Sequence, residues 1–331
     1  MHGFIPSSNK SHQRRYYFHL HVLDVKLFVH VIHLAITKSH LICAAWEADK
    51  DKKTLDFVHY HSFKVSLLDI DFKEADLVSE IDSTLKIIRK NIVFEGQSVF
   101  VSIADDLCSA STIKLDFKMS ILDGWDFAKW TINQRWPKNG DFEFFGRYFN
   151  TSESMVYAIR VNKGFVDGLK IIIKEFGCNI EWMGTESSAF FGLNQNNGIS
   201  IFYPLKNEYK YFFYSNESFD SGRAKYYNNS WEIMSQNNVI TSSDLFNQKI
   251  FILGNLSKKM IEQFENKLVT QISALSGFII KGNVFSRKLK GIDLNRLFVL
   301  TPIASGSPKG IAINFIDTPG IQPFNPASYF N

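Results

Sequence analysis

Cysteine is scarce in this chain of 331 residues: Cys43, Cys108 and Cys178 stand far apart, and no C-x-x-C pair exists. An odd, scattered set argues against a disulfide framework or a cysteine-cluster metal site. Each has apolar neighbours and reads as a small buried hydrophobe in a reducing compartment, so a cytoplasmic protein is expected. Long apolar runs are missing too. The best candidate for a membrane span, residues 16–36, is broken by His19, His21, Asp24, Lys26, His30 and His33, too many polar groups for a lipid-facing helix. The opening M-H-G-F-I-P-S-S-N-K-S-H-Q-R-R lacks an orthodox signal-peptide cleavage pattern. Formal charge is only +4, which does not point to nucleic acid as a partner. There is no G-x-S-x-G elbow, and every histidine precedes residue 62, so a Ser-His-Asp or Cys-His device is not indicated.

What remains is globular material with a mixed pattern. Hydrophobic residues make up 45%, and phenylalanine alone fills 31 positions, enough for a sizeable core and two lobes of ordinary size. Residues 1–15 are polar and read as loose. Residues 18–36, 41–46 and 55–63 read as strands, with a turn at 38–40 and a charged loop at 47–53. A helix is expected over 70–89, where Leu77, Ile81, Leu85 and Ile88 recur at helical steps. Strands follow at 99–104 and 113–117, then a helix at 121–136 stopped by Pro137. A strand at 155–161 leads to a helix at 165–176 capped by Gly177, a strand at 180–183 and a short helix at 187–193. Beyond Gly198 a hairpin is expected from 199–203 and 209–214, then a helical stretch at 220–238 and a strand at 250–253. An amphipathic helix should open at a serine cap and cover 257–275, with a strand at 298–300. The segment S-P-K-G-I-A-I-N-F reads as a last short helix, and the tail after Asp317 as irregular. No internal sequence repeat is present.

Certain pieces of this pattern are distinctive in their order. I-K-L-D-F-K-M precedes the F-A-K-W helix, Q-R-W-P closes it, A-I-R-V leads to E-F-G-C, and T-E-S-S-A follows. Over roughly residues 31–316 this order resembles the type IV pilus assembly protein PilM family. The resemblance implies an α/β, two-lobed actin-like fold, a duplicated ribonuclease-H-like unit with a small subdomain inserted in lobe one. It divides the chain into an extra, loose segment at 1–30, lobe one at 31–197 with the insert at about 75–160, lobe two at 198–316 and an irregular tail at 317–331. Residues 1–30 also read as translated from an upstream start. In that family the lobe-one region binds the short cytoplasmic tail of a membrane-anchored protein. The implied function is a non-catalytic cytoplasmic scaffold of a type IV pilus or type II secretion-like assembly. It would lie at the inner face of the inner membrane, held by the cytoplasmic tail of a bitopic partner and coupled to a motor ATPase.

The same resemblance exposes what is missing. Actin-like ATPases grip phosphate with two D-x-G hairpin turns, in which the acid organises magnesium and the glycine lets backbone N–H groups approach. In the first turn Ala35 stands for the acid and Thr37 for the glycine; a second register offers Asp24, with Lys26 for the glycine. In the second turn, I-F-Y-P-L-K-N-E, Phe202 and Tyr203 fall where the acid belongs, and Pro204 removes a donor. A later glycine pair is reduced to Gly254 and Asn255. With metal handle and close approach both gone, ATP hydrolysis is not expected. Residual ATP or ADP would be held by Thr37, Lys38, Ser39, Gly254 and Asn255; no other cofactor is expected. Two alternatives stay open, a nucleotide-binding switch with altered phosphate loops and an actin-like filament or membrane tether. The tail 318–331 lacks the basic amphipathic helix that such tethers use.

Four other features carry competing readings. His19/His21 and His59/His61 are i,i+2 pairs that could gather round a metal if their strands were neighbours. No residue completes a familiar ligand spacing, so ordinary strand histidines and no metal are expected. Asp105-Asp106 is an acid pair or simply a polar strand end. Ser286-Arg287-Lys288-Leu289-Lys290 is a phosphate-contacting or a merely solvated basic loop. Trp125, Trp130, Trp136, Phe142, Phe144, Phe145, Tyr148 and Phe149 form the core of the insert, or in part a groove for an extended peptide.

Overall fold

The structure is a computed structural model. It describes residues 30–49, 52–64, 74–115, 119–149, 155–193, 198–205, 207–215, 219–235, 241–253, 262–264, 269–272, 278–280 and 313–322. The strands read at 18–36, 41–46 and 55–63 form, over the described residues, an antiparallel meander of β1 (His30–Ile36), β2 (His40–Asp49) and β3 (Lys52–Ser62). Its inward face presents Ile32, Leu34, Leu41, Cys43 and Ala45, all buried. The helix α1 (Glu74–Ile88) supplies Leu77, Ile81, Leu85 and Ile88 to the same core, as their spacing predicts. The buried strands β4 (Ser98–Ile103) and β8 (Asn179–Thr185) then run parallel to β1, and β15 (Phe278–Ile280) pairs with β3. The helix α3 (Lys163–Glu175) opens on an Asn162 cap and packs beside α1.

A second sheet is built from β9 (Ile199–Pro204), β10 (Tyr209–Tyr214), β11 (Phe219–Tyr227), β12 (Ser230–Ser235), β13 (Lys249–Leu253) and β14 (Val269–Ile272), with the short helix α5 (Ser242–Phe246) before β13. Its order is β12-β11-β10-β9-β13-β14, against β15-β3-β2-β1-β4-β8 in the first sheet. Apart from the outermost strands β12 and β15, the two orders are the same. Three strands meander antiparallel, then two join parallel on the far side. Such parallel joins need crossovers, which mark an α/β unit. The chain is thus a duplicated ribonuclease-H-like unit, two lobes alike in topology and unlike in sequence. A third sheet, β16-β6-β7-β5, comes from β5 (Ser109–Lys114), β6 (Phe142–Tyr148), β7 (Met155–Asn162) and β16 (Gly320–Ile321), and carries α2 (Ile121–Arg135). The remaining helix, α4 (Glu186–Ala189), runs directly on from β8.

Several expectations are corrected. The charged loop at 47–53 shrinks, because β2 and β3 extend to Asp49 and Lys52. The insert is tighter than 75–160: α1 and β4 belong to the first sheet and its core. Residues 142–148, between the elements read from the sequence, form β6. The stretch 220–238, expected as helix, is instead the β11–β12 hairpin. Its turn is Asn228-Asn229, at φ 48° and 59°, the paired left-handed geometry of a tight hairpin. The helix expected to reach residue 275 gives way to β14. Residues 313 and 314 form no helix, and the tail contributes β16. That last segment is pinned to β8: Phe315 N–H donates to the Met183 carbonyl at 2.7 Å, and the Trp182 indole to the Ile313 carbonyl at 3.2 Å. The expected strand at 298–300 and the extra segment at 1–29 lie outside the described residues.

Candidate functional site

A cleft of about 1330 Å³ opens where the three sheets meet. The β1–β2 turn borders it with Thr37, Lys38 and Ser39, and the turn after β9 reaches it with Leu205. These are the two turns where the resemblance placed phosphate loops. Gly254 and Asn255 lie outside the described residues. The first turn spends its polar groups on itself. Thr37 Oγ1 accepts from the backbone N–H groups of Ser39 at 3.2 Å and His40 at 3.0 Å. Thr37 N–H donates to the His40 carbonyl at 3.0 Å. Lys38 leans to Asp106 at 3.9 Å, a loose, exposed pair of little energetic weight.

The centre of the cleft is an ion cluster that spans the lobes. Lys210 on β10 places Nζ 2.9 Å from Asp105 Oδ2 and 3.4 Å from Glu186 Oε2. Asp105 sits where β4 ends, and Glu186 opens α4 after β8, so lobe one supplies both acids and lobe two the cation. Burial pushes the Glu186 carboxyl up to about 7, against the opposing pull of Lys210 and with the push of Asp105 and Asp106. Burial alone would lower Lys210, but Asp105 and Glu186 outweigh it and hold the ammonium above its ordinary value.

Ser187 fastens this cluster to its surroundings. Its N–H and hydroxyl donate to Asp105 Oδ1 at 3.2 and 2.6 Å. Its carbonyl accepts from the Tyr214 hydroxyl at 2.5 Å, and its Oγ lies 3.1 Å from both the Tyr157 hydroxyl and Thr185 Oγ1. Tyr157 belongs to the third sheet and Tyr214 to the second, so one serine joins all three. Tyr157, Phe191, Tyr214 and Phe219 pack ring against ring nearby, at centroid distances of 4.6 to 5.5 Å. Such pairs add about 0.5–1.5 kcal/mol each beyond their burial.

The insert closes one end of the cleft with cations. The Arg160 guanidinium donates to Asn133 Oδ1 at 2.9 Å and to the Trp136 carbonyl at 2.6 Å, and stacks 4.3 Å from the Phe142 ring centroid. Arg135 donates to Ser111 Oγ.

Of the sequence candidates, Asp105 proves central rather than a mere strand end. Of the aromatic set, Trp125, Phe145 and Phe149 are core, while Trp130 is exposed on α2 with Ile121 and Leu122. Half of the four-histidine set lies outside the described residues. His59 and His61 stack in a row with Phe57 at 6.3 and 6.4 Å, and His19 and His21 lie outside those residues, as does the 286–290 loop. Lys210 and Glu186 were missed. T-E-S-S-A was read as a fold mark, and nothing local in Y-K-Y-F-F-Y identifies a cleft lysine. No helix among the described residues is long and apolar enough to cross a membrane.

No family model and no curated protein matches the chain. Among solved structures, the PilM–PilN type IV pilus biogenesis complex is similar over 85% of this chain and 99% of the other, at 11% identity and a TM-score of 0.50. The cytoplasmic domain of EpsL, an inner membrane component of the type II secretion system of Vibrio cholerae, covers 83% of this chain and 95% of its own, at 8% identity and a TM-score of 0.44. A Bacteroides thetaiotaomicron protein with an actin-like ATPase fold covers 85% and 97%, at 10% identity and a TM-score of 0.39. The first likeness agrees with the duplicated strand order: the chain has the two-lobed actin-like fold with a subdomain in lobe one.

Proposed function

We propose that this chain is a non-catalytic scaffold on the cytoplasmic side of an inner-membrane assembly of the type IV pilus or type II secretion kind. In this reading it holds the cytoplasmic segment of a single-span membrane protein and links it to a cytoplasmic motor. One observation carries the non-catalytic part. The cleft is bridged by Lys210, Asp105 and Glu186. A triphosphate there would meet two carboxylates and would have to draw the lysine away from both. The first turn also has its Ser39 and His40 amides occupied by Thr37, whereas phosphoryl transfer depends on free, positioned donors and a metal. The likeness to a pilus biogenesis complex supports the assembly part. The exposed Ile121, Leu122 and Trp130 of α2 give a partner apolar anchors of the kind that dominate interfaces.

The experiment passes detergent-solubilised inner membranes of the source organism over the immobilised full-length chain. A single-span protein with a short cytoplasmic segment should be retained, and Leu122→Asp with Trp130→Ala should release it. Retention of soluble proteins alone would contradict the scaffold reading. A nucleotide-binding switch is the second reading, favoured by a cleft volume of about 1330 Å³ beside Thr37, Lys38 and Ser39; Mg-ATP binding to the full chain tests it.

A further inference from the structure

We propose that His30, Glu47 and Asp56 form a binding site for a borderline divalent metal ion such as Zn²⁺. One ligand atom from each lies within 4.8 Å of the others. His30 Nε2 stands 3.4 Å from Asp56 Oδ2. Metal–ligand bonds of about 2.1 Å put the ligand atoms of a tetrahedral site about 3.4 Å apart, so this pair already has the spacing that a bound ion would impose. Glu47, the longest of the three side chains, closes the remaining distance by rotation.

The sheet itself makes the arrangement. His30 faces Glu47 across the β1–β2 ladder, so their side chains lie on one face. Asp56 joins them through an irregularity. The β2–β3 register pairs Ala45 with Phe57 and Trp46 with Leu55, which leaves Asp56 as the extra residue of a bulge. Bulges re-aim a side chain and are frequent beside functional sites. The entry of β1 is also held in place, since His30 N–H donates to Gln97 Oε1 at 2.6 Å. All three side chains are half-buried, sheltered yet reachable. One imidazole with two carboxylates suits Zn²⁺ better than a hard ion such as Mg²⁺, which prefers oxygen alone. Three protein ligands leave a fourth position for water or for a partner's donor atom. The site lies at the far end of β1 from Thr37 and is independent of the cleft.

The test loads untagged full-length protein with Zn²⁺, dialyses it against metal-free buffer, and measures retained zinc and the thermal midpoint. About one zinc per chain and a higher midpoint are expected. His30→Gln and Glu47→Gln should each lose at least tenfold in affinity, while His59→Gln with His61→Gln should keep it. Magnesium should leave the midpoint unchanged. Zinc retained equally by His30→Gln and Glu47→Gln would overturn the proposal, as would no retention by the wild type. Should one variant fail to fold without metal, the other carries the comparison.

Discussion

Replacing Lys210 by methionine keeps most of the side chain's volume and removes the only charge from lobe two that faces Asp105 and Glu186 among the contacts described. The two acids are 13% and 12% exposed at their side chains, and the lysine 28%. Removing one partner from a fully buried pair costs about 3–5 kcal/mol; partial access of water to the lysine reduces this to about 2–3 kcal/mol above neutral pH. The loss should depend on pH in a definite direction. Burial raises Glu186 to about 7 in the fold, above the usual carboxylate range, so the folded state holds more protons than the unfolded one between the two values. Its contribution is therefore present at low pH and falls as pH rises toward 7. Without Lys210 the carboxyl rises further, and the variant should lose more stability on that rise than the wild type does. Urea unfolding at pH 5, 6, 7 and 8 measures this, and the difference between variant and wild type cancels groups common to both. The expected difference is smaller at pH 5, where Lys210 still faces Asp105, and reaches about 2–3 kcal/mol at pH 8. A difference below about 0.5 kcal/mol at pH 8, or one that does not change with pH, would refute the reasoning.

Three further outcomes follow from other parts of the molecule. A Cβ at Gly184 would lie 2.6 Å from the Ile313 carbonyl oxygen and 2.5 Å from the Trp182 ring, so Gly184→Ala should cost about 1–3 kcal/mol in urea unfolding and loosen the last segment to proteolysis. At the β11–β12 turn, Asn229→Gly should be neutral or stabilise by a few tenths of a kcal/mol, while Asn229→Val should lose about 1–2 kcal/mol, because φ 59° suits no β-branched residue. Burial lowers His33 to about 3 beside Ser102 at 2.7 Å. The unfolded state then binds the extra proton below about pH 6.5, stability falls as pH drops through that window, and His33→Asn should flatten the slope between pH 6.5 and 4.

Much of lobe one was legible because its apolar runs and helical stripes are regular. The runs of β1 and β2, buried on both faces over 32–36 and 41–46, mark central strands, and the Leu77, Ile81, Leu85, Ile88 stripe names the buried face of α1. The β11–β12 hairpin was not legible. β12 shows an exposed–half-buried alternation along S-W-E-I-M-S, and its polar positions suit a helix as well as an edge strand. β6 was hidden in an aromatic run, since Phe142 and Phe144 are only half-buried and the strand gains its partner from residues 155–162. The cleft chemistry was the least accessible. Asp105 and Lys210 are 105 positions apart, and only the duplication of the fold brings them together. The missing acid and glycine in the phosphate turns were readable, but the lysine that pairs with Asp105 and Glu186 in the same cleft was not.

The most direct test of the account is thermal unfolding of the purified chain with and without millimolar Mg-ATP and Mg-ADP. A ligand that binds only the folded state at a hundred times its Kd adds about 2.7 kcal/mol, which for a protein of this size moves the midpoint by several degrees. The account predicts no shift in the wild type, because Lys210, Asp105 and Glu186 already satisfy one another in the cleft. A clear upward shift, abolished by substituting Lys38, would show a working nucleotide site and contradict the claim that this ion cluster keeps nucleotide out of the cleft.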